Sequence, residues 1–440
     1  MSLRVGVVGC GYLGATTAVC LSSMGHHVTA TDVDAARVQA LNEGRTPFFE
    51  PGLADLLATQ LASGRLKFTT EMPRLTQQSD IVFLCVGTPQ SAGELATDMR
   101  QVDSATQALI AALQHPVVVV GKSTVPVGTA ARLRAELKAH SPNSELVWSP
   151  EFLREGRAIE DTLAPDRIVI GAAADDARGS EAVLAVFADQ VAAGTPVVHT
   201  DLPTAELVKI SANAYLATKI SFINAMSEVC EVAGANVLKL SEALGYDERI
   251  GAKFLRPGLG YGGGCLPKDV RALYARGSEL GAAQAVAFLD EVDAINQRCR
   301  QRVVDLTEEV LGGPVAGRRI GVLGAAFKPN TDDTRDSPAL DVAGRLHLRG
   351  ASVSVYDPQA MQTARRHRPT LTYAETAAAA CRDADLVLLL TEWPEFSALD
   401  PEEFGRAVRH RRIIDARHAL VEKDWSAAGW TYRAPGVSLS

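Results

Sequence analysis

The sequence predicts an α/β fold, with two doubly wound parallel-sheet domains joined by a helical middle domain that holds a long central helix. Two stretches of alternating β-rich and helical runs, separated by a strand-free interval from Leu202 to about Val310, carry that expectation. In the first stretch the expected strands are Arg4–Val8, His27–Thr31, Asp80–Val86, Pro116–Val120, Leu146–Trp148, Arg167–Ile170 and Pro196–His199. Most are too uniformly apolar for half-exposed antiparallel strands and suit a sheet covered on both faces. Leu202–Ala233 then reads as one long helix and Ala282–Leu311 as another, with Gly/Pro-rich loops between them. A helical layer this long and apolar is a common dimer seam, so a homodimer is expected. After Gly312-Gly313-Pro314 the alternation resumes with Arg319–Leu323, a helix from Pro338, Ser352–Tyr356, Asp385–Leu390 and Arg412–Asp415. The expected domains are 1–200, 201–311 and 312–440.

The 440 residues are 47% hydrophobic and 22% charged, an ordinary globular composition. A net charge of -8 and a pI of about 5.7 argue against nucleic acid or an anionic membrane as the main partner. No apolar run approaches the ~20 residues that cross a bilayer. Leu3–Gly9 is too short and glycine-interrupted for a signal peptide, and a cytoplasmic location is expected. The seven cysteines are scattered, with no Cys-x-x-Cys, and the histidines show no His-x-x-x-His. Reduced thiols and no metal site are expected.

Gly9-Cys10-Gly11-Tyr12-Leu13-Gly14 follows the first strand directly and opens a helix, the context a G-x-G-x-x-G turn requires. Its glycines permit a tight turn and the approach of a pyrophosphate to the helix N-terminus. Asp32 ends the second expected strand, where a carboxylate binds adenosine ribose hydroxyls and repels a 2′-phosphate, which favours NAD over NADP. Arg37 is close enough to add an adenosine contact, and reads equally well as a surface helix residue. The two expected sheets are therefore Rossmann-like.

Cys265 ends the run Gly260-Tyr261-Gly262-Gly263-Gly264 and precedes Leu266-Pro267-Lys268-Asp269. Pro267 suits the first turn of a helix through Val270, Leu273 and Tyr274, so the thiol is expected at a helix N-terminus, where the dipole favours a thiolate. Taken alone, a cysteine after glycines is more often a packed small hydrophobe than a nucleophile. Asp269 falls on the same helical face. Cys85–Pro89 and Lys122–Pro126 each follow a buried-strand pattern, at the ligand edge of a parallel sheet. Glu151 and Glu155 lie four apart after another strand, where they fit either an acid/base pair or a solvated turn. Lys209 and Asn213 share a helical face in an apolar stretch, and read as donors toward developing negative charge or as an exposed stripe. Arg249 and Arg256 flank Phe254-Leu255, while Lys328 and Arg335 lie after the first strand of the second α/β stretch. Two basic loops make a phosphate-bearing substrate reasonable.

Together these segments resemble the UDP-glucose/GDP-mannose 6-dehydrogenase family, in order: Gly9–Gly14, Val86–Pro89, Lys122–Thr129, Ser149–Gly156, Glu206–Glu228, Arg249–Arg271, Phe327–Pro338 and Asp357-Pro358. The resemblance implies NAD-dependent oxidation of a nucleotide-sugar C6 alcohol to a carboxylate, with Cys265 as nucleophile. It implies that Lys209, Asn213 and Asp269 support alkoxide and water chemistry, and that Thr124, Glu151 and Glu155 position or activate water, Glu151 being the base for thioester hydrolysis. For cofactor binding it implies Gly9, Gly11, Tyr12, Leu13, Gly14, Asp32, Arg37, Thr88, Thr124, Glu155, Lys268 and Arg335. For substrate it implies Glu151, Phe152, Leu153, Lys209, Asn213, Arg249 from the partner subunit, Phe254, Leu255, Arg256, Gly262, Phe327, Lys328 and Arg417. Asp415-Ala416-Arg417 departs from the family pattern with Ala where Gly is usual, and Ser149 stands where Asn is common. Other nucleotide sugars, GDP-mannose or a UDP-N-acetylhexosamine, fit the same chemistry. A non-catalytic NAD-binding sensor would have lost the nucleophile or the Lys/Asn pair, and a two-domain hydroxyacid dehydrogenase explains neither Cys265 nor the C-terminal unit.

Overall fold

Residues 2–437 are described by the structure, a computed structural model. The chain divides into two compact units, residues 1–212 and 213–440.

The first unit is built on eight strands: β1 (Arg4–Val8), β2 (His27–Thr31), β3 (Leu66–Thr69), β4 (Ile81–Leu84), β5 (Val118–Gly121), β6 (Glu145–Trp148), β7 (Ile168–Gly171) and β8 (Val197–Thr200). They lie in the order β3-β2-β1-β4-β5-β6-β7-β8. The continuous apolar runs follow from burial of both faces. Val5 and Val7 of β1, Ile81 and Phe83 of β4, and Val118 and Val120 of β5 enter one core, while Val8, Val82, Leu84 and Val119 enter another. The strand order reverses between the parallel strands β1 and β4, which marks the switch point at which an open sheet binds ligands.

One pairing departs from the parallel expectation: β6 and β7 meet antiparallel through Trp148 and Gly171. The segment between them holds the six-residue helix Ala158–Leu163. Strand β3 was not among the expected strands.

The central helix spans Leu202–Ala233, 32 residues, as its apolar run predicts. The later helix is broken where one was expected, into Ala283–Val286 and Phe288–Leu311. At the break Asp290 N bonds Ala287 O at 3.2 Å, an i, i+3 contact in place of the regular ladder.

The second unit carries an all-parallel six-stranded sheet: β9 (Arg319–Leu323), β10 (Ser352–Tyr356), β11 (Thr372–Tyr373), β12 (Leu386–Leu389), β13 (Arg412–Asp415) and β14 (Thr431–Arg433). Its order, β11-β10-β9-β12-β13-β14, puts the switch point between β9 and β12. The edge strands β11 and β14, two and three residues long, were not expected from the sequence.

Candidate functional site

In the first unit the glycine turn after β1 is shaped by two different needs. A Cβ at Gly14 would lie 1.7 Å from Gly9 O, so the helix Tyr12–Ser23 can seat on the turn only without a side chain there. Gly11, the N-cap, has open space where its Cβ would point. No protein packing demands a glycine at Gly11, and approach of an anion to the helix N-terminus does. Asp32, directly after β2, accepts Cys10 N at 2.7 Å and Arg37 Nη1 at 3.0 Å through one oxygen, and Asp34 N at 2.9 Å through the other. Arg37 is thus oriented across the ribose-binding position. These residues fit a dinucleotide.

Tyr12 turns its phenol onto Glu50, a buried carboxylate that sequence reasoning passed over. Glu50 also accepts Gly156 N at 2.6 Å and Ala158 N at 2.7 Å. Burial, then the Glu50 carboxylate, push the Tyr12 phenol well above its ordinary range. Phe48 packs on Tyr12 with ring centroids 4.6 Å apart. The only signal for Glu50 was a lone carboxylate in Phe49-Glu50-Pro51-Gly52, which reads as a turn.

The loops after β4, β5 and β6 converge at one sheet edge. Ser123 donates to Val86 O at 2.7 Å and ties the loop bearing buried Thr88 to the loop bearing Thr124. Lys122, half-buried, lies 5.6 Å over the Phe187 ring, and burial lowers the pKa of its ammonium. Burial pushes the neighbouring Cys85 thiol up to about 12, which makes it an inert core thiol. Glu151 accepts Leu153 N at 2.7 Å through one oxygen and lies 3.2 Å from Lys209 Nζ through the other. Phe152 is covered by the Arg167 guanidinium at 3.7 Å and by Lys209 Nζ at 5.5 Å. Glu155 adds to the negative field on the Tyr12 phenol. Glu206, one turn before Lys209, caps the helix Thr129–His140 by accepting Gly128 N at 2.7 Å and Ala130 N at 2.6 Å. Its position fixes the start of the central helix against the Thr124 loop.

In the second unit Cys265 is the exposed N-cap of the helix Leu266–Glu279, with Pro267 in the first turn. Asp269 N closes the first helical bond to Cys265 O at 3.0 Å. The Asp269 carboxylate, 1% exposed, accepts Asn213 Nδ2 at 2.6 Å and Lys268 Nζ at 2.5 Å. Asn213 is therefore held with its amide turned to the start of the Cys265 helix. The remaining six cysteines are buried.

The glycine run before Cys265 is closely packed by the protein itself. Cβ atoms would meet Asn296 Oδ1 at 2.3 Å from Gly260, Asp336 O at 2.4 Å from Gly262, the Phe327 ring at 2.7 Å from Gly263 and Arg335 Cζ at 2.3 Å from Gly264. Asn296 brackets Tyr261, accepting its N–H at 2.8 Å and donating to its carbonyl at 3.0 Å. Arg335 O accepts Gly263 N at 2.9 Å, while its guanidinium pairs with Asp333. Asn296 and Arg300, which pairs with Asp336 at 2.9 Å, had no sequence signal beyond polar positions on a long helix.

The expected substrate residues are distributed unevenly. Arg249 is exposed and pairs with Asp247 at 2.7 Å. Phe254 adopts a φ of +64° and is exposed, whereas Leu255 is buried in a small core. Arg256 Nη2 donates to His418 O at 2.6 Å. Lys328 Nζ lies 5.4 Å over the Phe327 ring beside the second sheet's switch point. Arg417 donates to three backbone carbonyls, those of Leu390, Gly260 and Phe327. At β10, Asp357 accepts Ala325 N at 2.8 Å and Ala326 N at 2.9 Å, much as Asp32 closes the first turn, but Trp393 Nε1 also fills it at 3.0 Å. Among the described residues no three His, Cys, Asp or Glu side chains group as a metal site.

Three models of the UDP-glucose/GDP-mannose dehydrogenase family match the chain: the NAD binding domain over residues 3–190, the central domain over 203–298 and the UDP binding domain over 321–422. The UDP-glucose 6-dehydrogenase of Rhizobium meliloti is 39% identical over 99% of both chains. UDP-glucose 6-dehydrogenase TuaD of Bacillus subtilis is 38% identical over 98% of this chain and 93% of its own. Among solved structures, a UDP-glucose dehydrogenase from Pyrobaculum islandicum superposes with a TM-score of 0.90 at 37% identity, covering 100% of this chain and 98% of that one. A UDP-D-ManNAc dehydrogenase from Pyrococcus horikoshii superposes at 0.86 with 26% identity, covering 99% of each.

Proposed function

The chain belongs to the UDP-glucose/GDP-mannose dehydrogenase family, and from that premise we propose that it oxidises UDP-glucose at C6 to UDP-glucuronate with reduction of two NAD. The observation that carries this reading is Cys265 at a helix N-cap, with Asp269 in the first turn of that helix bonded at 2.6 Å by Asn213 of the central helix. An alcohol becomes an acid through two hydride losses, and NAD supplies the hydride acceptor. After the first loss the Cys265 thiolate adds to the aldehyde carbon, and the oxygen takes a proton to give a thiohemiacetal. The second hydride loss, with the hydroxyl proton passing to water, leaves a thioester, which water cleaves to the carboxylate, returning the thiol. Lys209 and Asn213 are assigned to the oxyanions, a role worth about 2.7–4 kcal/mol per donor elsewhere. Asp269 and Lys209 are assigned to hold the water that takes the C6 hydroxyl proton. Glu151, oriented by Leu153 N and paired with Lys209, is assigned as base for hydrolysis, with Thr124 and Glu155 positioning the water.

Gly9, Gly11, Tyr12, Leu13, Gly14, Asp32, Arg37, Thr88, Lys268 and Arg335 are assigned to the cofactor. Phe152, Leu153, Arg249, Phe254, Leu255, Arg256, Gly262, Phe327, Lys328 and Arg417 are assigned to substrate or to its surroundings. The three family models support the division into 1–200, 201–311 and 312–440. A homodimer is supported by the central helix, which exposes Tyr215, Phe222 and Val229 at seven-residue intervals, an apolar stripe suited to a second copy. Among the described residues no helix is long and apolar enough to cross a membrane, which fits a cytoplasmic enzyme using cytosolic cofactor and substrate.

The test is a panel of UDP-glucose, UDP-N-acetylhexosamines and GDP-mannose scored by NADH release. UDP-glucose should give about two NADH per molecule, and Cys265→Ser should form no acid while binding NAD normally. Turnover by the serine variant at the wild-type rate would rule out the covalent route, and a preference for another sugar would reassign the substrate.

A further inference from the structure

Arg417 follows β13 at the ligand edge of the second sheet. Its side chain, 12% exposed, reaches three different loops: Nε to Leu390 O at 3.0 Å, Nη1 to Gly260 O at 2.9 Å and Nη2 to Phe327 O at 3.3 Å. Leu390 directly follows β12, and Phe327 lies in the loop after β9. Those two loops flank the switch point between β9 and β12, where a parallel sheet takes its ligand. Gly260 is the first glycine of the run that ends at Cys265. The chain from Gly260 to Cys265 has little freedom of its own, because Asn296 brackets Tyr261 and Arg335 O holds Gly263 N. A shift of the crevice loops therefore reaches the Cys265 run by two routes, the Arg417 guanidinium and the direct contact of Arg335 O with Gly263 N.

We propose that Arg417 is a positioning residue that couples the nucleotide crevice of the second sheet to the loop carrying Cys265. A planar fork with fixed donor directions suits this role, because it holds three carbonyls in one relative geometry, which a lysine ammonium cannot do. In this arrangement a nucleoside diphosphate between the β9 and β12 loops sets the spacing of Phe327 and Leu390. Arg417 passes that spacing to Gly260, so occupancy of the crevice and placement of the nucleophile become one equilibrium. The inference rests on the reading of Cys265 as nucleophile and of the second sheet as the UDP-binding unit.

The experiment measures alkylation of Cys265 by iodoacetamide in the full-length protein, with and without saturating UDP, which lacks the sugar that would cover the thiol. Because the other six cysteines are buried, the modified peptide reports Cys265. In the wild type, UDP is expected to change the alkylation rate by at least about fivefold, the scale of an ordinary coupling between sites. In Arg417→Lys, with UDP binding checked calorimetrically and saturated, the response should shrink several-fold. The same variant should lose about 10–100-fold in kcat with a smaller change in the KM for nucleotide sugar, as expected of a misplaced nucleophile. A wild-type rate indifferent to UDP overturns the proposal without any variant. It is also overturned by an Arg417→Lys protein that responds to UDP as the wild type does, or by one whose KM rises at unchanged kcat, which makes Arg417 a ligand contact. Failure of the underlying reading looks different, since wild-type protein would then release no NADH with any nucleotide sugar in the panel.

Discussion

Lys209 Nζ lies 3.2 Å from Glu151 Oε1, and the two side chains are only 6% and 13% exposed. The second Glu151 oxygen accepts Leu153 N, so the carboxylate is fixed at both ends. Removing one member of such a pair leaves the other charge buried without its partner, at a cost of about 3–5 kcal/mol. Lys209→Met should therefore destabilise the protein strongly in chemical denaturation. Adding Glu151→Gln should restore part of the loss, with a coupling energy of about 1–3 kcal/mol from the double-mutant cycle. Strict additivity would mean that the two charges do not sense one another.

Glu50 connects the dinucleotide turn to the loop after β6. Gly156 N and Ala158 N are accepted by different Glu50 oxygens, so Glu50→Gln places its NH2 group against one of the two N–H donors, and that N–H left without an acceptor costs about 1–3 kcal/mol. Tyr12→Phe removes one hydroxyl and keeps the ring against Phe48, at a cost of about 1 kcal/mol. The expected order of denaturation midpoints is wild type, Tyr12→Phe, Glu50→Gln. The Glu50 variant should also raise the KM for NAD, because Tyr12 and Gly156 lose their common anchor. A Glu50→Gln protein as stable as Tyr12→Phe would contradict the network.

The strands β1, β2, β9, β10 and β13 and the central helix could be read residue for residue, because the strands are short β-branched or apolar runs bounded by turn signals and the helix has no breaker along its length. The short strands β3, β11 and β14 could not, since Lys67 interrupts the first and the other two are held by neighbours rather than by their own pattern. In the same way, Gly9–Gly14 with Asp32 and Cys265 with Asp269 were legible because their chemistry is local in sequence. Glu50, Asn296 and Glu206 act on backbone groups 35 to 108 residues away, and nothing near them in sequence signals those partners. Arg417 was legible as a residue, but its three carbonyl partners belong to loops that only the folded sheet brings together.

His418 should make the protein more sensitive to acid. Its φ is +52°, and burial holds the pKa of its imidazole below the ordinary 6.5, with Asp415 opposing that shift and Arg256 reinforcing it. Below pH 6.5 the unfolded chain then binds a proton that the folded chain resists, so stability falls as pH drops from 6.5 toward the depressed folded value. His418→Asn keeps a residue that tolerates positive φ and removes the titration. Between pH 7 and pH 5 the wild type should lose more unfolding free energy than the variant. Equal losses would place the acid sensitivity elsewhere.

Gly263 and Gly264 adjoin Cys265, but alanine should act at the two positions by different routes. Gly263 has a φ of +84° and the Phe327 ring 2.7 Å from the ideal Cβ, so alanine there meets both backbone strain and a rigid aromatic. The strain alone is about 1–3 kcal/mol, and relief can come only by moving the loop. Gly263→Ala should therefore lower kcat by about 100-fold, through misplacement of the thiol by an ångström or so. At Gly264 the backbone imposes no such strain, and the obstacle is the Arg335 guanidinium, whose Cζ lies 2.3 Å from the ideal Cβ. That group sits at the end of a flexible side chain and can swing away, leaving Cys265 in place. Gly264→Ala should then reproduce Arg335→Ala, with a raised KM for NAD and little loss of kcat at saturation. In an Arg335→Ala background, Gly264→Ala should add almost nothing. If it still lowers kcat there, the obstacle is the loop backbone rather than the guanidinium.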